Sequence, residues 1–366
     1  MRDHPVDILE HDSTEFVTAA ARRGVKRPEA LRLYRTAYRE ATAAAPWITL
    51  NAAPIVNGQA EQHTEKFIQR LPDGLETESV VIPMRGRSGR ETNTLCVSSQ
   101  VGCAMGCTFC ETAQMGLMRH LTTAEIIGQW FAARHVLKTS IKNIVFMGMG
   151  EPMDNLDSVI HAIRILVDHN GPSVPASNIT VSTVGRPEGI RRLAALAAQP
   201  GFGRLNLAVS INAPDDAVRS TLMPINRRHP MSELFAAMQA WPLRPAGAIL
   251  IEYVLIPGVN DHPHHADALA TYLASLRCSV NVIPYNPRRD SPWPAPTEAM
   301  ITEFMQRLVQ RGLFVKRRQT KGRSVMAACG QLGNPHIRRR QFVQLATPDS
   351  PTARSSAAPS CREEPA

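Results

Sequence analysis

Seven cysteines occur in this 366-residue chain, and four of them fall in one stretch, CVSSQVGCAMGCTFC, from Cys96 to Cys110. Cys103, Cys107 and Cys110 follow the spacing C-x3-C-x2-C, and Cys96 stands seven residues upstream. Thiols bunched in this way, on a chain without a disulfide framework, point to metal binding or catalysis. Their number is informative. A structural zinc ion is normally closed by four protein ligands, and iron–sulfur clusters are commonly held by four cysteines. Three thiolates on a cubane would leave one iron open to another ligand. Spacing alone leaves a zinc knuckle, completed by Cys96 or by a distant residue, and plain buried cysteines as alternatives. Cys96 makes a poor fourth ligand if it lies within a strand, because the strand fixes its direction away from the loop.

Other candidates are weaker singly. VFMGMGEP, Val145–Pro152, ends an apolar run in glycines and then presents Glu151. Glycines allow a backbone to approach a ligand closely and an acid can grip an ammonium group, but a tight turn explains the same residues. Cys329, in MAACGQL, reads on its own as a buried structural cysteine. His262, His264 and His265 open a helix after a Pro-Gly turn and are not expected to bind metal. Cys278 belongs to an apolar run, and Cys361 to the C-terminal tail.

The elements that must position these residues alternate. Strand-like runs occur at NTLCVSS, NIVFMG, NITVST, LNLAVSI, ILIEYVLI, SVNVIPY and LFVKRR. Helix-like segments lie between them, near 122–137, 157–169, 187–199, 230–241, 263–276 and 296–312, the first opened by a Thr122/Glu125 capping box. Such repeats predict a parallel sheet with crossover helices, either open and doubly wound or a barrel, with the chemistry at the C-terminal ends of the strands. Upstream, two helices are expected in the first sixty residues, one capped near Asp12 and closed by Gly24, the next with Pro28 in its first turn. Pro72-Asp73-Gly74, between two alternating runs, predicts a hairpin. The Pro/Ser/Ala-rich tail from about 346 is expected to be disordered.

Composition narrows the class. Hydrophobic residues make up 43% and charged residues 20%, the balance of a soluble globular protein. No segment approaches eighteen unbroken apolar residues, and MRDHPVDILEHD lacks the layout of a secretory signal, so a cytoplasmic setting is expected. The net charge of +9 suits a polyanionic partner, although basic runs are often solvated faces. The excess is clustered at Arg85, Arg87 and Arg90; at Arg288 and Arg289; at Lys316–Arg318 with Lys321 and Arg323; and at Arg338–Arg340.

Taken together, CVSSQVGC, FMGMGEP, VSTVG, LMPIN, YVLIPGVND and AACGQL resemble the radical S-adenosylmethionine (SAM) RNA adenine methyltransferases, over about Lys66 to Asn334. Phe109, between the last two cysteines, also suits the cluster-binding loop of that superfamily. The family methylates carbon 2 of an adenine in 23S ribosomal RNA and in some transfer RNAs, and a sister branch methylates carbon 8. The resemblance implies a partial (β/α)6 barrel over 93–345, with a helical accessory module at 1–60 and a β-hairpin extension and connector at 61–92. It implies a 4Fe-4S cluster on Cys103, Cys107 and Cys110, whose open iron chelates SAM. Cys329 would carry the methyl group and Cys96 would resolve it. One SAM would methylate Cys329; a second, cleaved by one electron, would give a 5′-deoxyadenosyl radical that takes a hydrogen from that methyl, so that the carbon adds to the adenine. Attack by Cys96 on the Cys329 sulfur would then release product through a transient disulfide. By family position Glu78 is the acid/base residue, with Glu76 its neighbour and competitor. Gly150, Glu151, Ser182, Ser210, Ile211, Asn212 and Asn286 would contact SAM. Expected partners are ribosomal or transfer RNA and an electron donor such as flavodoxin or ferredoxin, with no membrane, and the chain is expected to be a monomer. Three departures stand out: Asn212 replaces the usual histidine, Ser324–Met326 replaces an acidic-Ile-acidic run, and the N-terminal helical module matches the family's RNA-binding accessory domain only loosely. Competing readings are a radical enzyme acting on something other than RNA, and a cluster- or zinc-containing RNA-binding protein without catalysis.

Overall fold

The computed structural model describes residues 4–85, 89–319 and 321–334. The expected tail, Cys361, Arg87, Arg338–Arg340 and the last stretch of the 93–345 region lie outside the described residues.

The N-terminal segment forms β1 (Val6–Asp7), α1 (Ser13–Ala21), α2 (Arg27–Glu40) and β2 (Ile48–Thr49), with β1 and β2 paired in parallel. Asp12 and Glu15 form a reciprocal capping box at α1, and α2 carries Pro28 in its first turn and stops at Ala41, φ 54°. This expected accessory module shares the main core of the molecule. Phe16, Tyr34 and Tyr38 are buried, each contributing about 1.5–3 kcal/mol by burial. Tyr38 packs against Trp130 at 6.1 Å, and the Ser13 amide donates to Asp168 Oδ2 at 2.7 Å.

Three antiparallel strands follow, β3 (Ile55–Glu61), β4 (Thr64–Arg70) and β5 (Glu76–Arg85), and β5 pairs with β6 (Glu91–Val97). The predicted hairpin turn is present, with Gly74 at φ 82° and Asp73 Oδ1 accepting from the Leu75 amide at 3.0 Å. Strand β3 was not expected. Its residues are exposed along most of its length, so no alternation of apolar residues marks it.

After β6, the short pair β7 (Gln100–Val101) and β8 (Arg119–His120) brackets α3 (Glu111–Met115). The parallel repeats continue through α4 (Thr123–Phe131), β9 (Ile141–Phe146), α5 (Leu156–Val167), β10 (Ile179–Thr183), α6 (Pro187–Ala197), β11 (Asn206–Ser210), α7 (Asp216–Leu222), α8 (Met231–Gln239), β12 (Ile249–Leu255), α9 (Pro263–Leu273), β13 (Cys278–Pro284), α10 (Glu298–Gln310) and β14 (Val315–Arg317). The Thr122/Glu125 capping box opens α4 as predicted. The ten-stranded sheet runs β14-β13-β12-β11-β10-β9-β6-β5-β4-β3 and does not close, since β14 and β3 are both edges. Residues from β6, β9, β10, β11, β12 and β13, with Arg318 just past β14, nevertheless line one cavity, so the sheet curls around it. Of the two arrangements the repeats allowed, the chain adopts the partial barrel.

Candidate active site

The loop between β7 and α3 carries the three clustered cysteines. Gly102, at φ 75°, opens the loop so close to Gly116 that a Cβ would lie 1.8 Å from the Gly116 carbonyl oxygen. That carbonyl accepts from the Cys103 amide at 3.1 Å, the Thr108 amide donates to Leu222 O at 3.0 Å, and the Cys110 amide donates to Cys107 O at 3.1 Å. Backbone geometry thus fixes all three thiols, which face a single cavity together with Phe109. All three are free, and burial raises the pKa of each, because a thiolate loses its hydration there. Among the described residues no group of three or more His, Cys, Asp and Glu side chains lies close enough together to hold a single metal ion. The histidines at 262, 264 and 265 stack on one another at the start of α9.

Cys96 lies within β6, paired with Val80 of β5 and Val145 of β9, and it lines the same cavity as the loop thiols. Cys329 lines it too, on a loop between Gly322 and Gly333. Both are free thiols. Burial pushes Cys96 up to about 12, with the nearby Cys329 sulfur acting in the same direction and Arg318 against it. Arg318 is a residue that sequence reasoning left inside a basic run. It lines the cavity that both sulfurs line, its guanidinium 3.8 Å from Glu252 Oε2 and 3.6 Å from the Met147 sulfur. Glu252, also missed, is buried, its pKa raised by desolvation, and accepts from Asn281 Nδ2 at 2.9 Å. A lone carboxylate in the apolar run ILIEYVLI was a legible signal for it, since buried charge is costly without a partner.

The strand ends opposite bring up the polar candidates. Gly150, at φ 97°, packs so tightly that a Cβ would lie 2.5 Å from Gln100 Cβ. Glu151 is buried and accepts from the Met153 amide at 3.1 Å and the Val184 amide at 2.9 Å, and desolvation raises its pKa. Ser182, Ser210, Asn212 and Asn286 all line the cavity. Ile211 does not. Its side chain is fully buried in the main core, and its amide and carbonyl are engaged by Glu252 O and Arg219 Nε. Arg219, fully buried, ties Ile211 O at 3.1 Å to Asn226 Oδ1 at 2.8 Å and so fixes the Ser210–Asn212 turn. Asn212 adopts φ 56° and accepts from the Val254 amide at 2.8 Å.

Glu78 of β5 is buried beside Lys66, whose Nζ lies 3.4 Å from Glu78 Oε2. Burial raises the Glu78 pKa, opposed by Lys66 and by a hydrogen bond from the Gly333 amide. It therefore sits against the Cys329 loop without lining the cavity itself. Its competitor Glu76 is occupied by Arg70 at 2.9 Å and by Asn334 at 3.0 Å.

Residues 97–269 match the Radical SAM superfamily. The probable dual-specificity RNA methyltransferase RlmN 1 of Protochlamydia amoebophila is 45% identical over 79% of this chain and 78% of its own length. The dual-specificity RNA methyltransferase RlmN of Geotalea uraniireducens is 43% identical over 78% and 79%. The crystal structure of a radical SAM methyltransferase from Sphaerobacter thermophilus, 36% identical, superposes with a TM-score of 0.82 over 89% of this chain and 99% of that one. The chain belongs to the RlmN family of radical SAM RNA methyltransferases. It is an enzyme of that class, and among the described residues no helix is long and apolar enough to cross a membrane.

Do the residues of this RlmN-family chain fit a cluster and SAM? The donor set does, because three free thiols share one cavity and, once deprotonated, are the soft sulfur donors that an iron–sulfur cluster takes. Asn286 supplies a second observation. Its Oδ1 is buried at the cavity without a hydrogen-bond partner, a cost that a bound ligand would remove. The departures at 212 and 324–326 are absorbed locally. The Asn212 amide is engaged within the protein, and the Ser324 amide and hydroxyl both donate to Glu61 Oε2, at 2.8 and 2.7 Å. At Met326, φ 52°, the backbone carbonyl receives Lys66 Nζ at 3.5 Å.

Proposed function

We propose that this RNA methyltransferase adds a methyl group to carbon 2 of an adenine in ribosomal and transfer RNA, through a methyl-carrying cysteine. The single observation that carries this reading is that five thiols, those of Cys103, Cys107, Cys110, Cys96 and Cys329, line one cavity. When bound on Cys103, Cys107 and Cys110, a 4Fe-4S cluster would supply the electron that activates SAM. Glu151, Ser182, Ser210, Asn212 and Asn286 would orient SAM, and Gly150 would let its backbone come close. Ile211 would contribute no more than the position of its two neighbours.

Cys329, half-exposed on a loop, would carry the methyl group to the base. Carbon 2 of adenine is electron-poor, so a carrier is needed where direct displacement from a sulfonium has no nucleophile to receive it. Glu78 would take the proton lost from the ring carbon, and its burial beside Lys66 gives it a basicity above that of an ordinary carboxylate. Attack by the Cys96 thiolate on the Cys329 sulfur would break the bond tethering the RNA. With the unpaired electron of the adduct returned to the one-electron donor, the electron pair of that bond passes to the departing carbon, which takes up a proton to become the methyl group, and a Cys96–Cys329 disulfide remains, to be reset by a two-electron thiol reductant. A small reducing protein such as flavodoxin or ferredoxin would serve the cluster, with the enzyme working as a cytoplasmic monomer.

The test is anaerobic reconstitution with transfer and ribosomal RNA, followed by mass spectrometry of the nucleosides. Expected products are 2-methyladenosine from the wild type and a covalent RNA–protein adduct through Cys329 from Cys96→Ala. Formation of 8-methyladenosine would move the enzyme to the sister branch. Absence of any methyladenosine would overturn the substrate, and free RNA alone from Cys96→Ala would remove the resolving role.

A further inference from the structure

A second, wider cavity of about 840 Å³ meets the thiol-lined one, and both share Ile82, Met147, Glu252, Arg318 and Cys329. Met84 and Arg85 come from β5, which is hydrogen-bonded between β4 and β6, and Lys316 and Arg317 from the edge strand β14; the curl of the sheet brings both strands to the same cavity. Lys321, just past β14, links the two, its Nζ donating to Pro83 O. The seam thus has a basic lip on each side and Cys329 at its inner end.

The charge is lopsided. Arg85, Lys316, Arg317, Arg318 and Lys321 line this cavity against one carboxylate, Glu252, which lies 3.8 Å from Arg318. Arg317 is paired with Glu298, but Arg85 and Lys316 are exposed and have no acidic partner among the described residues. Beside Arg85, Met84 is 47% exposed, a soft apolar surface next to a cation. Deeper in, the amides of Asn281 and Asn286 and the apolar faces of Ile82 and Ile283 line the path to Cys329. Cations at the mouth, an apolar slot and amides within match an unpaired nucleotide: phosphates outside, a base face against apolar walls, base edges on amides.

We propose that the RNA strand enters through this seam between β5 and β14, with backbone phosphates on Arg85 and Lys316 and the target base turned inward toward Cys329. This deepens the methyltransferase reading and rests on it for the identity of the polymer. It also divides the interior, leaving the thiol-lined cavity to the cofactor side.

The experiment is equilibrium binding of a fluorescent RNA hairpin to the full chain at several salt concentrations. Removing two phosphate contacts from a single strand lowers the slope of log affinity against log salt by about 1.4, which weakens binding roughly 25-fold at 0.1 M salt. Arg85→Gln with Lys316→Gln is expected to show this. Arg134→Gln with Arg191→Gln, an equal charge loss at exposed positions on the outer helices, is expected to keep the wild-type slope. Unchanged binding in the first pair, or an equal loss in the second, would overturn the seam as the entry. So would competition by polyglutamate as strong as by RNA, which would make it a surface for acidic proteins. If the wild type itself binds no RNA, the methyltransferase reading fails instead. Unchanged thermal unfolding of both pairs shows that folding is intact.

Discussion

Of the five thiols at the cavity, Cys96 sits in strand β6 and the other four in two loops held in different ways. The loop of Cys103, Cys107 and Cys110 is fixed by its own backbone, through a left-handed Gly102 pressed onto Gly116 and amide–carbonyl bonds made within the loop and to the neighbouring Leu222. The loop of Cys329 has backbone turns of its own, Ala327 N to Gly322 O and Gln331 N to Ala328 O, but adds contacts borrowed from elsewhere. The Glu111 amide donates to Gly330 O at 2.7 Å, Thr112 Oγ1 to Leu332 O at 2.6 Å, Lys66 to Met326 O, and Glu61 grips Ser324. Two of these partners belong to the helix that follows the clustered cysteines and two to the antiparallel extension. The contrast fits the work proposed for each. Ligands that share a cluster must not move relative to one another, whereas a carrier must meet a donor, a base and a second thiol in turn.

The sharpest way to break this comparison is to add one methyl group to each loop. Gly102→Ala must strain a backbone at φ 75° and push away an oxygen that would lie 1.8 Å from the new Cβ, also disturbing the Cys103 amide bond. The strain and the lost hydrogen bond together amount to about 3 kcal/mol or more. Bound iron after anaerobic desalting is expected to fall at least tenfold while the far-ultraviolet dichroism stays unchanged. Gly330→Ala, also at positive φ but with its nearest neighbour 3.8 Å away, bears the strain alone and is expected to keep its iron. Equal iron in both variants would erase the distinction between the loops.

This division was only half legible in the sequence. The three thiols announce themselves because ligand spacing is local, and the crossover helices do so because the 3.6-residue period is local as well. Arg318 could not be read, since it shares a cavity with Cys96 and Cys329 only once the sheet curls and brings the end of β14 round toward β6. Ile211 shows the converse: its position, carried over by resemblance, lies just past β11 with its side chain buried in the core, while its neighbours Ser210 and Asn212 line the cavity. Lys66 carries no local signal, because its Nζ meets Glu78 and the Met326 carbonyl only once β4, β5 and the Cys329 loop come together.

Lys66 offers the middle-sized test, because it links the proposed base to the movable loop. Lys66 and Glu78 are both nearly fully buried, so Lys66→Met leaves a carboxylate in the interior with its main counter-charge gone. Breaking such a pair costs about 3–5 kcal/mol while the remaining partner is charged. The sign follows from the direction of the shift. Burial already raises Glu78 above the ordinary carboxylate range, and losing Lys66 raises it further. Stability is therefore retained at acid pH, where the folded and unfolded chains both hold the proton, and lost as pH climbs through the folded-state value. The unfolding temperature of the variant is expected to approach wild type at pH 5 and to fall well below it at pH 8. The acid limb of its methylation profile is expected to move to higher pH. A deficit equal at both pH values would mean that Lys66 acts by packing rather than charge.

The smallest effect is expected at the outer strap. Ser324 gives both its amide and its hydroxyl to one oxygen of Glu61, on an exposed part of β3 where water competes for the same bonds. Ser324→Ala removes the hydroxyl bond and keeps the amide bond, so the loop should loosen rather than open. Peptide mapping after brief iodoacetamide treatment is expected to show Cys329 alkylated a few-fold faster than in the wild type, with Cys96 unchanged inside its strand. If Cys329 reacts at the wild-type rate, the hairpin extension does not restrain the carrier. The hold would then rest with Glu111 and Thr112, which would tie the carrier's freedom to the helix beside the cluster rather than to the face where the RNA arrives.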